Sequence, residues 1–186
     1  QSEPLGGHTG IGHTRWATHG KPTESNAHPH ATDTVAVVHN GIIENFRELR
    51  EALIAGGAKF GSETDSEVVA HLVTSEMKKG KAPAEAVAAT LKQLRGAFAL
   101  AFLFAGEDDL MIGARKGSPL AIGYGTNGKA EMYLGSDAIA LSPFTDTISY
   151  LEDGDWAVLT RKGVKVYDEQ DRPVERAVVK SSISSQ

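Results

Sequence analysis

Apolar positions change period along the chain, and each change marks a different kind of element. Residues 1–34 carry Gly, His, Thr and Pro with no sustained period and read as loops around one short strand near Thr9–Thr14. Thr34–His39 is a compact β-branched run, expected to be a strand that stops in a tight turn at Asn40-Gly41. From Glu44 to Ala55, Phe46, Leu49 and Leu53 recur at helical spacing, with Gly56-Gly57 available as a left-handed stop. Thr64-x-x-Glu67 has the form of a capping box, after which Val69, Leu72, Val73 and Met77 repeat on one face up to Gly80. That is a second helix, with Asp65 at its N-terminal end. A third runs from about Ala84 to Leu94, with Gly96 just past its end.

After Gly96 the pattern becomes short apolar runs bounded by Gly, Asp, Asn and Ser: Ala97–Phe104, Leu110–Arg115, Leu120–Tyr124 and Met132–Leu134, then Ser149–Leu151, Asp155–Thr160 and Val164–Tyr167. These are strands, the last pair joined by Arg161-Lys162-Gly163 as a hairpin. Asp137–Leu141 fits one helical turn before Pro143. Helices gathered in one stretch and adjacent antiparallel strands in another predict an α+β layered fold rather than a doubly wound parallel sheet. Ser181–Gln186 reads as a linker or frayed end, which leaves residues 1–180 as one domain.

Composition narrows the function classes. At 186 residues, the length suits one domain with one sizeable core. With 40% apolar and 23% charged residues, a disordered tail, a collagen-like chain and a membrane span are excluded. The net charge of −5, from 19 Lys+Arg against 24 Asp+Glu, offers no basic footprint for a nucleic acid. Zero cysteines removes disulfides, cysteine-ligated zinc and a cysteine nucleophile from these residues. Gln1 in place of Met, with no leader after it, reads as a fragment or processed form and not a secretory precursor.

Several constellations can carry chemistry. His8, His13, His19, His28, His30 and His39 could supply imidazole ligands, but none lies at i, i+4 on a predicted helix, and the loops hold few carboxylates. The expectation is therefore no metal and no cofactor, the imidazoles instead satisfying loop backbone. Arg15-Trp16-Ala17-Thr18-His19-Gly20 has the makeup of a carboxylate-binding loop: a bidentate guanidinium, a hydroxyl donor and loop N–H groups near a glycine. An arginine in a structural ion pair fits the same composition. Asn40-Gly41 reads as a hairpin turn, or as an oxyanion hole built from a side-chain amide and the next N–H; the helix expected after it weakens the hairpin. Asp65 suits a helix first turn through the dipole, and equally a substrate ammonium. Arg15 and Asp65 together would clamp an α-amino acid.

Four blocks then become recognisable: Gly12–Gly20, Asn26-Ala27-His28-Pro29-His30, Val38–Asn45 and Thr64-Asp65-Ser66-Glu67-Val68. In order and spacing they resemble the glutaminase domains of the glucosamine-6-phosphate synthase family, class II glutamine amidotransferases. Ser118-Pro119-Leu120 and Gly135-Ser136-Asp137 extend the likeness over nearly the whole chain. The resemblance implies an N-terminal-nucleophile hydrolase fold, four layers in the order α-β-β-α. It implies an N-terminal cysteine that attacks the glutamine amide with its own α-amino group as base, leaving glutamate and ammonia. The ammonia would aminate fructose 6-phosphate in an isomerase domain outside this chain, within a cytoplasmic homo-oligomeric parent and with neither nucleic acid nor membrane as partner. Carried over, Arg15 binds the glutamine α-carboxylate with Thr18 and the backbone at His19, and Asp65 holds the α-ammonium near Gly41. Asn40 and Gly41 form the oxyanion hole, and Trp16 belongs to a loop that closes over glutamine. His28 and His39 look like supporting residues. Ser66 stands where the family often has threonine, and either hydroxyl suits the position.

The departure is at the front. The family's nucleophile precedes a strand, a helix and further strands, all ahead of the block that begins here near Gly12. A chain without cysteine is expected to lack glutaminase activity alone, to leave a sheet edge unpaired and apolar surface uncovered, and so to favour self-association. A noncatalytic amino-acid-binding module is the alternative, and a His-rich metal-binding domain a third.

Overall fold

A computed structural model describes residues 30–125 and 131–182. The strand expected near Thr9–Thr14 lies outside the described residues. Within them, the chain begins with β1 (His30–Ala31) and β2 (Val35–Ile43), continues through three helices, α1 (Phe46–Ala55), α2 (Asp65–Lys78) and α3 (Pro83–Leu91), and enters β3 (Gly96–Phe104) and β4 (Met111–Lys116). It then crosses to β5 (Ala121–Tyr124), β6 (Met132–Gly135), the single turn α4 (Ala138–Leu141) and β7 (Thr147–Tyr150). It returns through β8 (Trp156–Thr160), β9 (Gly163–Tyr167) and β10 (Pro173–Val174), and ends in β11 (Val178–Lys180).

Two antiparallel sheets result. The larger has the order β1-β2-β3-β4-β8-β9-β10 and the smaller β11-β7-β5-β6. One face of the larger sheet, with Val35, Val37, Ile43, Phe98, Leu100 and Phe102, packs on Phe46, Val68, Val69, Val73 and Val87 from the helices. Its other face presents small side chains, Ala99 and Ala157, to Leu120, Leu134 and Ile122 of the smaller sheet. Gly113 belongs to the same seam: a Cβ there would lie 2.9 Å from a Leu134 methyl, so the sheets close only over a missing side chain. Ala138 and Leu141 of α4 cover Ala121 and Ile148 on the far side. The layers therefore run α-β-β-α, the predicted α+β arrangement.

β3 shows how residue choice divides the layers. Its even positions are Phe98, Leu100, Phe102 and Phe104, buried against helices, and its odd positions begin with Ala99 against the second sheet. Period 2 sends large and small side chains to opposite faces, and each large one contributes about 1.5–3 kcal/mol by burial.

Two expectations are corrected. β2 does not stop at Asn40-Gly41 but runs to Ile43, because it pairs without interruption from Val35↔Phe104 to Ile43↔Gly96. Gly96 is not a helix stop but the first residue of β3, since α3 ends at Leu91. At the end of α1 the expected glycine stop is present, Gly57 (φ +99°) of the Gly56-Gly57 pair taking the left-handed position, with Gly57 N–H donating to Ile54 and Ala58 N–H to Leu53. β1, β10 and β11 were not foreseen, being too short to show a period. The hairpin reading agrees: β8 and β9 meet at Thr160↔Gly163, so Arg161-Lys162 forms the turn. Asp137 Oδ1 accepts from Ala140 N–H at 2.8 Å and caps α4.

Ile139 and Phe144, at 65% and 59% exposure, and Val178 and Val179 of β11 are apolar side chains that the described residues leave open to solvent. No helix among the described residues is long and apolar enough to cross a membrane.

Gly41 (φ +106°) and Gly96 (φ +128°) sit where β2 and β3 approach most closely; a Cβ would come within 2.1 Å of Ala97 O at the first and 2.2 Å of Ile42 O at the second. Gly163 (φ +138°) has nothing within 4 Å. Gly163→Ala is thus expected to cost only the backbone strain, about 1–3 kcal/mol. Gly96→Ala adds a clash with backbone and is expected to cost about 4 kcal/mol or more. Urea unfolding of the two variants checks the order, and equal losses would contradict it.

Candidate functional site

The sequence-predicted residues Arg15, Trp16, Thr18, His19 and His28 lie outside the described residues, as do His8 and His13. Asn40, Gly41, His39 and Asp65 lie within them, on two elements that the fold brings together, and His30 lies on β1.

The first element is β2. Alternation sends His39 to the helical side and its neighbour Asn40 to the opposite side. There Asn40 lines a cavity of about 630 Å³ between the sheets, with Ala99, Pro119, Met132, Tyr133 and Ser136. Gly41 follows, opposite Phe98. Its positive φ and its contact with Ala97 O make it a position that only glycine fills. Phe98 also bridges to Gly117, which places Gly117 on the far edge of β3 from Gly41.

The second element is the start of α2. Asp65, its first residue, is only 3% exposed, yet it is not stranded. Its Oδ2 accepts from Ile43 N–H at 3.0 Å, and Oδ1 lies 3.8 Å from His39 Nδ1. His39 Nδ1 is also 2.9 Å from Ser66 Oγ. Asp65 therefore reaches β2 just beyond Gly41, which brings together three of the predicted residues. A carboxylate on the first turn of a helix also gains from the dipole.

The capping box is corrected here. Thr64 is the N-cap, but its side chain makes no cap hydrogen bond. Its Oγ1 instead meets His30 Nε2 at 3.0 Å and Ser62 Oγ at 3.1 Å. Glu67 does not reach back to Thr64 but accepts from Gly61 N–H and Ser62 N–H, each at 2.7 Å, and from the Ser62 hydroxyl at 2.5 Å. The reason is accounting of buried donors: Ser62 is buried, so its N–H is cut off from water, and the carboxylate satisfies it together with the neighbouring Gly61 N–H. Burial pushes the Glu67 carboxyl up, but the Ser62 hydroxyl, the N–H groups of Gly61 and Ser62, and nearby His71 outweigh it and hold it below the ordinary carboxylate range. His71 stacks at a tilt on Phe60 and lies 3.6 Å from Glu67.

Sequence reasoning missed the Ile43 N–H and the His30–Thr64–Ser62–Glu67 chain as parts of this region, and it named Ser66 without its partner His39. The Thr-x-x-Glu spacing marked the right residues but the wrong partners, and nothing in the sequence announced that β1 would set His30 against Thr64. Among the described residues no group of three or more His, Asp or Glu has the geometry of a metal site.

The layered fold compares directly with solved structures. A glutamine phosphoribosylpyrophosphate amidotransferase from B. subtilis, complexed with ADP and GMP, superposes with TM-score 0.68 at 26% identity, over 87% of this chain and 35% of that one. A glutamine aminotransferase class-II domain protein from Silicibacter pomeroyi, at 21% identity and TM-score 0.54 over 77% of this chain and 70% of that one, shares the fold. The class is thus the N-terminal-nucleophile amidotransferases. The model of the glutamine amidotransferase domain matches residues 13–143, and the chain belongs to that family. Among curated relatives, the glutamine–fructose-6-phosphate aminotransferase (isomerizing) of Brucella abortus biovar 1 is 70% identical over 179 residues, 96% of this chain. That of Bradyrhizobium diazoefficiens is 68% identical over 182 residues, 98% of this chain. The chain spans 29% of the length of each of these relatives.

The Glu67 geometry fixes a pH dependence. Because its carboxyl is held below the ordinary value in the folded state, its stabilisation is complete above the unfolded value and is lost as pH falls through the folded one. Glu67→Gln removes the charge from three hydrogen bonds and is expected to cost about 1.5–3 kcal/mol near neutral pH. The difference from wild type should shrink on acidification toward pH 3. Urea midpoints measured from pH 7 to 3 for both proteins check this, and a gap that widens with acid would refute it.

Proposed function

We propose that this chain is the glutamine-handling domain of a glutamine-dependent aminotransferase that aminates fructose 6-phosphate to glucosamine 6-phosphate. The observation that carries the reading is the convergence of Asn40-Gly41 on β2 with Asp65 at the start of α2, tied through Ile43 N–H, in a chain 70% identical to an aminotransferase of that name. In this reading Asp65 takes the α-ammonium of glutamine, and Arg15 takes its α-carboxylate as a bidentate fork with Thr18 and the backbone at His19. Trp16 closes over the bound amino acid and limits the access of water.

A thiolate attacks the side-chain amide carbon, and the oxygen that becomes negative is received by the Asn40 amide and Gly41 N–H. Collapse returns to the leaving nitrogen the proton that the nucleophile's own α-amino group took from the thiol, expels ammonia and leaves a thioester, which water hydrolyses to glutamate and the free thiol. These 186 residues hold no cysteine, so the thiol of this mechanism is not among them. The fructose 6-phosphate site belongs to a separate isomerase domain, and the complete protein works as a homo-oligomer.

A second reading is a noncatalytic amino-acid-binding module that uses the same clamp. The coding sequence ahead of Gln1 separates the two: an in-frame Met-Cys-Gly-Ile favours the enzyme, and a start at Gln1 favours the module.

Two measurements follow. The polypeptide of these residues alone should release no ammonia from glutamine above background, and turnover near that of an intact glutaminase would sink the account. Calorimetric titration with glutamine should show binding that Arg15→Ala weakens by roughly tenfold or more, the loss that accompanies a broken charge-assisted pair. Equal affinity in the variant would remove Arg15 from the site.

A further inference from the structure

We infer that His39 is a positioning residue, acting with Ser66 to hold the Asp65 carboxylate in the orientation that meets an α-ammonium. The inference rests on the reading of Asp65 as the ammonium partner and goes on to say what aims it. Asp65 is anchored to β2 at one oxygen only by the Ile43 N–H, at 3.0 Å. Rotation about its Cβ–Cγ bond moves both oxygens, so the direction of Oδ1 is set by that one bond together with whatever stands against Oδ1. The His39 imidazole stands 3.8 Å from that oxygen, too far for a hydrogen bond but close enough to wall it in. The imidazole is in turn held at 2.9 Å by Ser66 Oγ. Ser66 is the next residue after Asp65 and only 1% exposed, so carboxylate and hydroxyl move as one turn of helix.

His39 also directly precedes Asn40 and Gly41 on β2. A single side chain thus connects the strand that carries the proposed oxyanion donors to the helix that carries the proposed ammonium acceptor. Their spacing decides whether one amino acid can engage both, since a misaimed carboxylate loses the charge-assisted hydrogen bond that makes the contact selective. A buried histidine that merely fills space would support the fold and leave ligand selectivity untouched.

Selectivity is therefore the readout. Glutaramate, which is glutamine without its α-amino group, keeps the α-carboxylate and the amide. Affinities for glutamine and glutaramate are measured by calorimetry on the wild-type chain, His39→Gln, Ser66→Ala, Ser66→Thr and Asp65→Asn. In wild type glutamine should bind more tightly. Asp65→Asn sets the full loss of that preference, and His39→Gln and Ser66→Ala should reduce it by roughly tenfold while glutaramate affinity holds, which also reports an intact pocket. Ser66→Thr, which restores a hydroxyl, should keep the wild-type ratio. A preference that survives both His39→Gln and Ser66→Ala overturns the inference and leaves the amino-acid reading standing. So does a parallel loss of both ligands in Ser66→Ala. Failure of the wild type to bind glutamine overturns that reading and the inference with it.

Discussion

The backbones of β2 and β3 approach so closely at Gly41 and Gly96 that a Cβ at either would overlap a carbonyl oxygen of the other strand, and the site's geometry depends on that contact. It lets the two strands pair over their full length, through the point where a turn would otherwise begin. An unbroken β2 then has strict alternation, so His39 faces the helices while Asn40 faces the space between the sheets. A turn at Asn40-Gly41 would have released both from this division. The close approach also holds β2 at the depth where its Ile43 N–H meets Asp65.

The start of α2 is organised by its buried carboxylates rather than by a conventional cap. Asp65 and Glu67 are both buried and both accept from backbone N–H groups outside their helix, one from β2 and the other from the 61–62 loop. Burying an ionised carboxylate costs free energy unless hydrogen bonds replace water, and here each set of bonds also fixes a neighbouring segment. Glu67, with Ser62, Thr64 and His30, links α2 to the edge strand β1. Asp65, with Ile43, links it to the strand of the proposed oxyanion donors. The helix is thereby locked in rotation and in height against the sheet.

The sheet-to-sheet seam is built on small residues. Ala99, Gly113 and Ala157 leave room for Leu120, Leu134 and Ile122, so the smaller sheet lies close along β4 and β8. Beside β2 the sheets stand apart around the cavity that Asn40 lines. Ala99, Leu120 and Leu134 line that cavity as well, so the packed seam borders directly on the opening.

Local pattern by itself determined the element types: the three helices from their spacing of Leu, Val and Phe, the strands from their apolar runs, and the α+β class from the grouping of the two. Motif order pointed to Asn40, Gly41 and Asp65, and to the family. Only the tertiary structure decided that β2 continues to Ile43, that Gly96 opens a strand, that Thr64 turns to His30 instead of capping α2, and that Ser66 and His39 stand beside Asp65. The physical reason is range. Periodic burial is written into residues a few positions apart, whereas strand register, close backbone approach and the partner of a buried polar group are set by segments far apart in sequence, such as His30 and Thr64 or His39 and Ser66.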